Sequence, residues 1–369
     1  MSKEISVIMS AFNAEDYLSE SIKSILNQED VEFELIIIND GSSDNTANIL
    51  AKFALEDRRV SIVTHINSGL AASLNKGIKM SKGEYIARMD ADDIADKLRL
   101  KTQLDYLKNH MNVDILGSYV YALGDGKERT WEFPTTKEEC DVALLFFCPI
   151  AHPAVMFRKS LVESVGFYDE NFSYDQDYEL WSRASYSHGI ANLSTKLLKY
   201  RIHQNQMGSI YSKDQRVKSQ KLIQQALLNK MGLTPSVDDM AFHTILANAY
   251  RLEFDIEINR DSLHKAGKWI ERINLANTIS QRYNDEALKR QLLWQYKSLC
   301  LYSANLGIGV YEDFKSVATG LKQPSFNFLL LISCILRFGR EKHLFFYAVI
   351  NKLKSFCLKC SRLVLSKKL

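Results

Sequence analysis

Tyr85-Ile86-Ala87-Arg88-Met89-Asp90-Ala91-Asp92-Asp93 is a short apolar run closed by three carboxylates. Tyr85 to Met89 has the length and composition of a buried strand. Asp90, Asp92 and Asp93 then set like charges side by side. Burying them unpaired costs several kcal/mol each, roughly. A resident cation resolves that conflict. Hard oxygen ligands suit Mg²⁺ or Mn²⁺, which in turn suit phosphates. The alternative is a solvated acidic turn capping the next helix. The segments on either side weigh against it.

Upstream, Ile5 to Met9 is β-rich and Ser10-Ala11-Phe12-Asn13 is a loop. Ala14 to Gln28 carries Leu18, Ile22, Ile25 and Leu26 at helical spacing. Phe33 to Ile38 reads as a second buried strand. It runs into Asn39-Asp40-Gly41-Ser42-Ser43-Asp44-Asn45-Thr46, turn-forming residues that expose backbone N–H groups, with Asp44 capping a helix through Phe53. A strand over Val60 to Thr64, a turn at Asn67-Ser68-Gly69 and a helix over Leu70 to Met80 complete the series. This alternation predicts an α/β domain with a Rossmann-like, mostly parallel central sheet and helices on both faces.

Such sheets bind ligands beyond the carboxyl ends of their strands. Three polar clusters fall there: Ala11-Phe12-Asn13, Asp40-Gly41-Ser42 and Asp90-Ala91-Asp92. Together they define one crevice. Asp40 is placed to accept the N3–H of a uracil, and Phe12 offers a π surface or apolar wall for a base. Taken singly, Asp40 reads equally as a turn-former before Gly41, and Phe12 as a core residue.

The runs Ser6 to Asn13, Ile37 to Thr46, Asn67-Ser68-Gly69-Leu70 with Leu74-Asn75-Lys76-Gly77-Ile78, and Arg88 to Asp93 resemble the family-2 glycosyltransferases of GT-A fold. The resemblance covers roughly Ile5 to Asn205. It implies a nucleotide-sugar donor (UDP-sugar favoured), Mn²⁺ or Mg²⁺, and inversion at the anomeric carbon. By position Asp40 corresponds to the base-binding Asp, and Asp90 and Asp92 to the D-x-D pair, with Asp92 nearest the metal. Phe12, Asn13, Asp40, Ser42, Asn67, Arg88, Asp90 and Arg201 make up the expected donor-binding set.

Downstream, Lys97 to His110 is an amphipathic helix and Val113 to Val120 a strand. Gly124-Asp125-Gly126 is a hairpin-type turn before a short edge strand at Thr130 to Phe133. Thr136 to Phe146 reads as a helix and Ala154 to Phe157 as a strand. His152 precedes Pro153, which pushes it to an extended conformation. In similar family members this H-P segment borders the acceptor pocket; the plainer reading is a loop histidine with a local hydrogen bond. Tyr174-Asp175-Gln176-Asp177-Tyr178-Glu179-Leu180-Trp181 opens a helix, whose N-terminus faces carboxylates with free N–H groups. The family's usual pair here is Glu-Asp, and this chain has Gln176-Asp177. The second position carries the general base, which assigns Asp177; Gln176 and Trp181 are expected near the acceptor. The alternative makes Asp175 or Asp177 only an N-cap. Tyr200-Arg201-Ile202-His203 resembles the family's closing Y-R-x-H element. Arg201 is expected to clamp a phosphate. His203 is expected as a metal ligand or pyrophosphate donor, against a satisfied loop histidine.

After Ser209 the motifs stop. Asp214–Met231, Ala241–Phe254, Ser262–Tyr283 and Asp285–Ala304 have helical spacing and predict an all-helical C-terminal region. The expected organisation is a catalytic domain over 1–209, a helical appendage over 210–320 and a basic amphipathic tail over 321–369. That tail holds ten Lys or Arg against one acid, Glu341. Apolar residues at helical spacing among basic ones suit contact with an anionic leaflet, the alternative being core helices with a solvated basic end. Phe326 to Phe338 is too short to span a bilayer.

Composition bounds the rest. The 369 residues allow two domains, and 46% hydrophobic with 25% charged residues is ordinary for a folded protein. A net charge of +3 is too small to argue for nucleic acid. Met1-Ser2-Lys3-Glu4 runs straight into a strand, with no signal-peptide pattern. Scattered cysteines indicate a reducing compartment, and Cys357 and Cys360 share a helix face more readily than they form a redox or zinc pair. These features predict a cytoplasmic enzyme, peripheral on the inner face of the plasma membrane. The family resemblance and the basic tail imply that it glycosylates a glycan or lipid-linked saccharide for a surface polysaccharide such as capsule or lipopolysaccharide. The competing readings are a sugar nucleotidyltransferase, which needs a Gly-rich basic loop that Ser10-Ala11-Phe12-Asn13-Ala14 does not supply, and a catalytically silent nucleotide-sugar-binding module.

Overall fold

The structure, a computed structural model, describes residues 4–124, 127–203, 206, 213–249 and 258–337. Two compact units divide between Leu227 and Leu228.

The first unit opens with β1 (Ile5–Ala11), α1 (Leu18–Leu26), β2 (Phe33–Asn39), α2 (Thr46–Glu56), β3 (Val60–Thr64), α3 (Leu70–Met80) and β4 (Tyr85–Asp90). All four strands are parallel, with Ile5 opposite both Phe33 and Tyr85. β2 is buried along its whole length, as expected of a strand covered on both faces. Side-chain alternation sorts those faces. Val7, Met9, Leu35, Ile37, Ala87 and Met89 share a core with Leu18, Ile22 and Ile25 of α1. The opposite face takes α3, which sits so close that a Cβ on Gly77 would lie 2.6 Å from Ile8 Cγ2. Arg88 and Asp90 alternate with Ala87 and Met89, away from the α1 core.

Next come β5 (Ile94–Ala95), α4 (Arg99–Asn109), β6 (Ile115–Gly124), β7 (Lys127–Trp131), α5 (Lys137–Ala143), β8 (Met156–Arg158), α6 (Lys159–Val165), α7 (Gln176–Ala184) and β9 (Ile190–Arg201). Strand order is β3-β2-β1-β4-β8-β6-β9-β5, with β7 on β6. The sheet changes sense at β8, which runs antiparallel to both β4 and β6. The buried Arg99 staples that seam: Nη2 donates to the Arg88 carbonyl at 2.6 Å and to the Val155 carbonyl at 3.3 Å. Gln103, one turn on, donates to the Ala154 and Leu116 carbonyls.

The expected edge strand is β7, displaced upstream because its register follows a tight hairpin in which Gly124 pairs with Lys127. The helix expected to reach Phe146 ends at Ala143. Beyond it the chain tightens into i to i+3 bonds, Leu145 N–H to Val142 and Phe146 N–H to Ala143. α8 (Lys213–Lys230) contains the division between the units, well past the motif-based boundary at 209.

The second unit is helical in its described residues: α9 (Val237–Asn248), α10 (Arg260–Ser280), α11 (Asp285–Tyr302), α12 (Gly309–Gly320) and α13 (Phe328–Ile335). Four of these five helix starts carry side-chain caps, from Ser236, Asn259, Asn284 and Asn327. Trp269, Ile270, Leu288, Leu292 and Tyr296 form its core. Among the described residues no helix is long and apolar enough to cross a membrane. Most of the basic tail, residues 338–369 with Cys357 and Cys360, lies outside the described residues.

Candidate active site

The carboxyl ends of β2, β1 and β4 line one edge of the sheet, since Ala11 is level with Asn39 and Ser10 with Asp90. The loops there are bound to one another. Asn13 sits at φ +47; its N–H donates to Ser42 Oγ at 3.0 Å, and its Oδ1 accepts from Ser43 N–H. Asp40 is buried, with Oδ1 accepting from Ser68 N–H at 2.8 Å and Oδ2 from Gly69 N–H at 3.0 Å. His65 Nε2 lies 3.3 Å from the same carboxylate. Asp40 therefore first holds the Asn67-Ser68-Gly69 loop in place. Gly41, at φ +74, must be glycine, because a Cβ there would lie 2.7 Å from Asn67 N. Phe12 stands half-exposed at the mouth of these loops. Asp44 Oδ1 accepts from Thr46 N–H at the head of α2, while Asn45 holds the N-cap position.

At the end of β4, Asp90, Asp92 and Asp93 each offer an oxygen within 4.8 Å of the others. His203 Nε2 lies 2.9 Å from Asp92 Oδ2. Asp93 is buried; Oδ1 accepts from Arg201 N–H at 2.8 Å, and Oδ2 has no partner. Burial pushes the Asp90 carboxyl up to about 6, against the pull of Arg88 and with further repulsion from Asp92 and Asp177. Burial also lifts Asp93 well above the usual carboxylate range, followed by the charges of Asp90 and Asp92. Crowded carboxylates with an orphaned buried oxygen fit a divalent cation, and His203 stands beside Asp92. Arg201 reaches three groups of its own chain. Nε donates to the Asp92 carbonyl, Nη2 donates to Glu20 at 2.7 Å, and the guanidinium lies over the Tyr17 ring. It holds the backbone that carries Asp92.

Across the crevice, Asp177 lies in the first turn of α7, and burial raises its carboxyl against the Tyr178 N–H and Arg88. The Cys148 thiol points at Asp177 Oδ2, 3.8 Å away. His152 is not extended. It opens a short 3₁₀ turn, His152–Ala154, closed by Ala154 N–H on the Ala151 carbonyl. Its Nε2 lies 2.9 Å from the Tyr168 hydroxyl, and burial, then Arg88, hold the ring well below the usual histidine range. Trp181 is fully buried and packs on His152, Phe157 and Tyr168, so it supports the pocket from behind. Gln176 is buried at the start of α7. Asp175 takes the N-cap position at φ +59 without capping; its carboxylate accepts from Ser219 Oγ at 2.5 Å and Gln220 Nε2 at 3.3 Å, both on α8.

Residues 6–166 match the model of glycosyl transferase family 2. An uncharacterised glycosyltransferase of Haemophilus influenzae is 34% identical over 248 residues, 62% of this chain and 76% of that protein. The chain belongs to glycosyl transferase family 2. Another uncharacterised glycosyltransferase, from Methanocaldococcus jannaschii, is 35% identical over 210 residues, covering 54% of this chain and 70% of its own. Among solved structures, residues 1–349 of S. aureus TarS in complex with UDP-GlcNAc give a TM-score of 0.55 at 16% identity, covering 89% of this chain and 91% of that one. That likeness concerns the GT-A fold. The enzyme is thus a glycosyltransferase with a GT-A sheet.

Within this family-2 site, sequence reasoning missed several supports. Tyr168 and Cys148 were given no role. Nor was Asn75, although it lies in the family-like run Leu74 to Ile78; its side chain bonds both the N–H and the carbonyl of Tyr168. A buried Asn in an otherwise amphipathic helix was a further signal, since buried amides need partners.

Proposed function

We propose that this glycosyltransferase moves a sugar from a nucleotide diphosphate donor, a UDP-sugar in first preference, to a hydroxyl of a glycan or lipid-linked acceptor, with inversion. The observation carrying the proposal is the cluster at the end of β4, where Asp90, Asp92 and Asp93 each offer an oxygen within 4.8 Å of the others. Asp177, in the first turn of α7 and with its carboxyl raised by burial, is the carboxylate read as the proton acceptor.

In this reading Phe12, Asn13, Ser42 and the loop that Asp40 fixes at Asn67 receive the nucleotide. Asp92, His203 and the Asp90–Asp93 pair hold Mn²⁺ or Mg²⁺. A bound divalent ion neutralises the charge that grows on the departing diphosphate. Asp177 accepts the proton of the acceptor hydroxyl as it attacks from the opposite face. The neutral His152–Tyr168 pair, backed by Trp181, shapes the acceptor side with Gln176. Arg201 keeps Asp92 in place.

Residues 1–209 would be the catalytic region, 210–320 a helical appendage and 321–369 a basic segment resting on the inner face of the plasma membrane, during synthesis of a surface polysaccharide. The charge of that segment supports this part of the reading. The TarS complex with UDP-GlcNAc supports the choice of a UDP-sugar.

Thermal-shift screening of the full chain with UDP-, GDP- and CMP-sugars, with and without Mn²⁺, tests the proposal. A Mn²⁺-dependent shift with a UDP-sugar is expected. A response only to a nucleoside triphosphate with a sugar phosphate would replace it with nucleotidyl transfer. Binding without transfer or hydrolysis would make the site a silent module.

A further inference from the structure

α8 (Lys213–Lys230) begins past the residues matched to the family and past the expected end of the catalytic region. Its first half nevertheless belongs to the same compact unit as the sheet, which extends to Leu227. Gln220, Ile223, Gln224 and Leu227 recur at the spacing of one helix face. Ile223, Gln224 and Leu227 are buried. A glutamine on a buried stripe needs a partner. Gln224 Nε2 has one in the Phe146 carbonyl, 2.8 Å away.

Phe146 stands two residues before Cys148, whose thiol lies 3.8 Å from Asp177 Oδ2. The turn after α5 meets α7 a second time, where the Tyr178 hydroxyl donates to the Leu144 carbonyl at 2.5 Å. Through Gln224, α8 therefore braces one side of Asp177. Through Asp175 it braces the other. Ser219 Oγ donates to Asp175 Oδ2 at 2.5 Å, and Gln220 Nε2 donates to Asp175 Oδ1 at 3.3 Å.

Asp175 sits at φ +59 and makes no side-chain cap for α7. A residue with a Cβ holds that left-handed backbone at a cost, and keeps it where its surroundings impose it. An Asp before a helix ordinarily turns its carboxylate to the helix's own N–H groups. Here both oxygens are drawn to α8 instead. The backbone at Asp175 sets the direction in which α7 starts, and Asp177 is two residues on.

We propose that Ser219 and Gln220, with Gln224 behind them, are positioning residues for Asp177: by holding Asp175 they fix the first turn of α7 in the direction that proton removal requires. This rests on the function proposed above, which reads Asp177 as the proton acceptor. It extends the working enzyme to a helix outside the family match. The nucleotide loops and the β4 carboxylates are held by the contacts described above, so turnover and donor binding should separate.

Three variants of the full chain test this. Ser219→Ala removes the hydroxyl, Ser219→Thr keeps it, and Gln220→Glu sets a second carboxylate against Asp175. The probes are UDP-glucose and UDP-N-acetylglucosamine in Mn²⁺, below the melting temperature of every variant. Water stands in for the acceptor: its oxygen bonds the anomeric carbon as the bond to UDP breaks, and its proton passes to Asp177. Ser219→Ala and Gln220→Glu are expected to slow UDP release at saturating donor by about tenfold or more, the scale of a misplaced group, with Ser219→Thr within about threefold of wild type. The calorimetric Kd for the UDP-sugar is expected to stay within about twofold in all three. Hydrogen exchange read by mass spectrometry is expected to quicken over 174–180 in Ser219→Ala and not in β1 or β2. Undiminished UDP release in Ser219→Ala, or a fall matched by lost donor affinity, overturns the assignment and leaves the function standing. So does a Ser219→Thr as slow as Ser219→Ala. If Ser219→Ala does not fold, Gln220→Glu carries the same comparisons. A wild-type chain that binds no UDP-sugar overturns the function. There, and where wild type holds the donor without releasing UDP, the exchange comparison decides the brace, and unchanged exchange over 174–180 overturns it.

Discussion

Asn75 Nδ2 donates to the Tyr168 carbonyl at 2.9 Å while Asn75 Oδ1 accepts the N–H of the same residue at 3.0 Å. Nδ2 also reaches Glu170 Oε1 at 2.9 Å. One amide on α3 thus fixes the loop that leads into α7. Asn75→Asp turns a donor into an acceptor facing a carbonyl and a carboxylate. It should cost about 2–3 kcal/mol of stability, the penalty for buried groups left unmet, read from urea unfolding. A variant as stable as wild type would mean the loop is held elsewhere.

Asp177→Asn is nearly isosteric and removes the proton acceptor. Turnover should fall by at least about 10²-fold, the scale of a general base. Affinity for the nucleotide sugar should stay within a few fold, measured by calorimetry. Near-normal turnover would remove Asp177 from that role.

Burial raises the Asp177 carboxyl above its unfolded value. The folded chain then holds this proton more tightly than the unfolded chain does. Its contribution favours the fold below the ordinary carboxylate pKa and is lost as pH rises through the raised one. Asp177→Asn should therefore be more stable than wild type at neutral pH, with the gap closing toward pH 4 as both forms become neutral. Paired melting curves across that range check the sign; a gap that widens on acidification contradicts it.

Asp92→Ala should abolish Mn²⁺-dependent strengthening of donor binding, and His203→Ala should weaken it. The two lie 2.9 Å apart, and removing either leaves the other without that partner. Calorimetric titration with and without Mn²⁺ separates the variants. An unchanged Mn²⁺ response in Asp92→Ala would move the cation elsewhere.

Gly41→Ala places a methyl 2.7 Å from Asn67 N on a backbone at φ +74. The strain of a left-handed non-glycine residue is about 1–3 kcal/mol. Because the displaced loop is the one Asp40 holds, UDP affinity should drop along with stability. Loss of stability with intact UDP binding would separate this loop from the nucleotide.

The β1 to β4 half of the sheet was legible because each strand, turn and helix there is written in consecutive residues. The placement of the D-x-D carboxylates at the end of β4, and of Asp177 in the first turn of α7, was legible for the same reason. Pairings across long stretches of chain were not. Nothing near Arg201 announces Glu20 or Tyr17, which its guanidinium meets. Nothing near Asp175 announces Ser219 on α8. His152 was read as extended from the proline alone, but a tertiary hydrogen bond to Tyr168 and packing on Trp181 accompany its 3₁₀ turn. Trp181 was expected near the acceptor by the resemblance; α7 turns it fully inward, onto His152 and Tyr168.

The change of sense at β8 has a practical corollary. Only Tyr85, Ile86 and Ala87 pair with it from β4, opposite Arg158, Phe157 and Met156. Chimeras that graft a different β6–β9 half onto this β1–β4 half would have a natural splice there. A successful crossover must carry Arg99 and Gln103 along with it, because those two side chains lace the graft to its host.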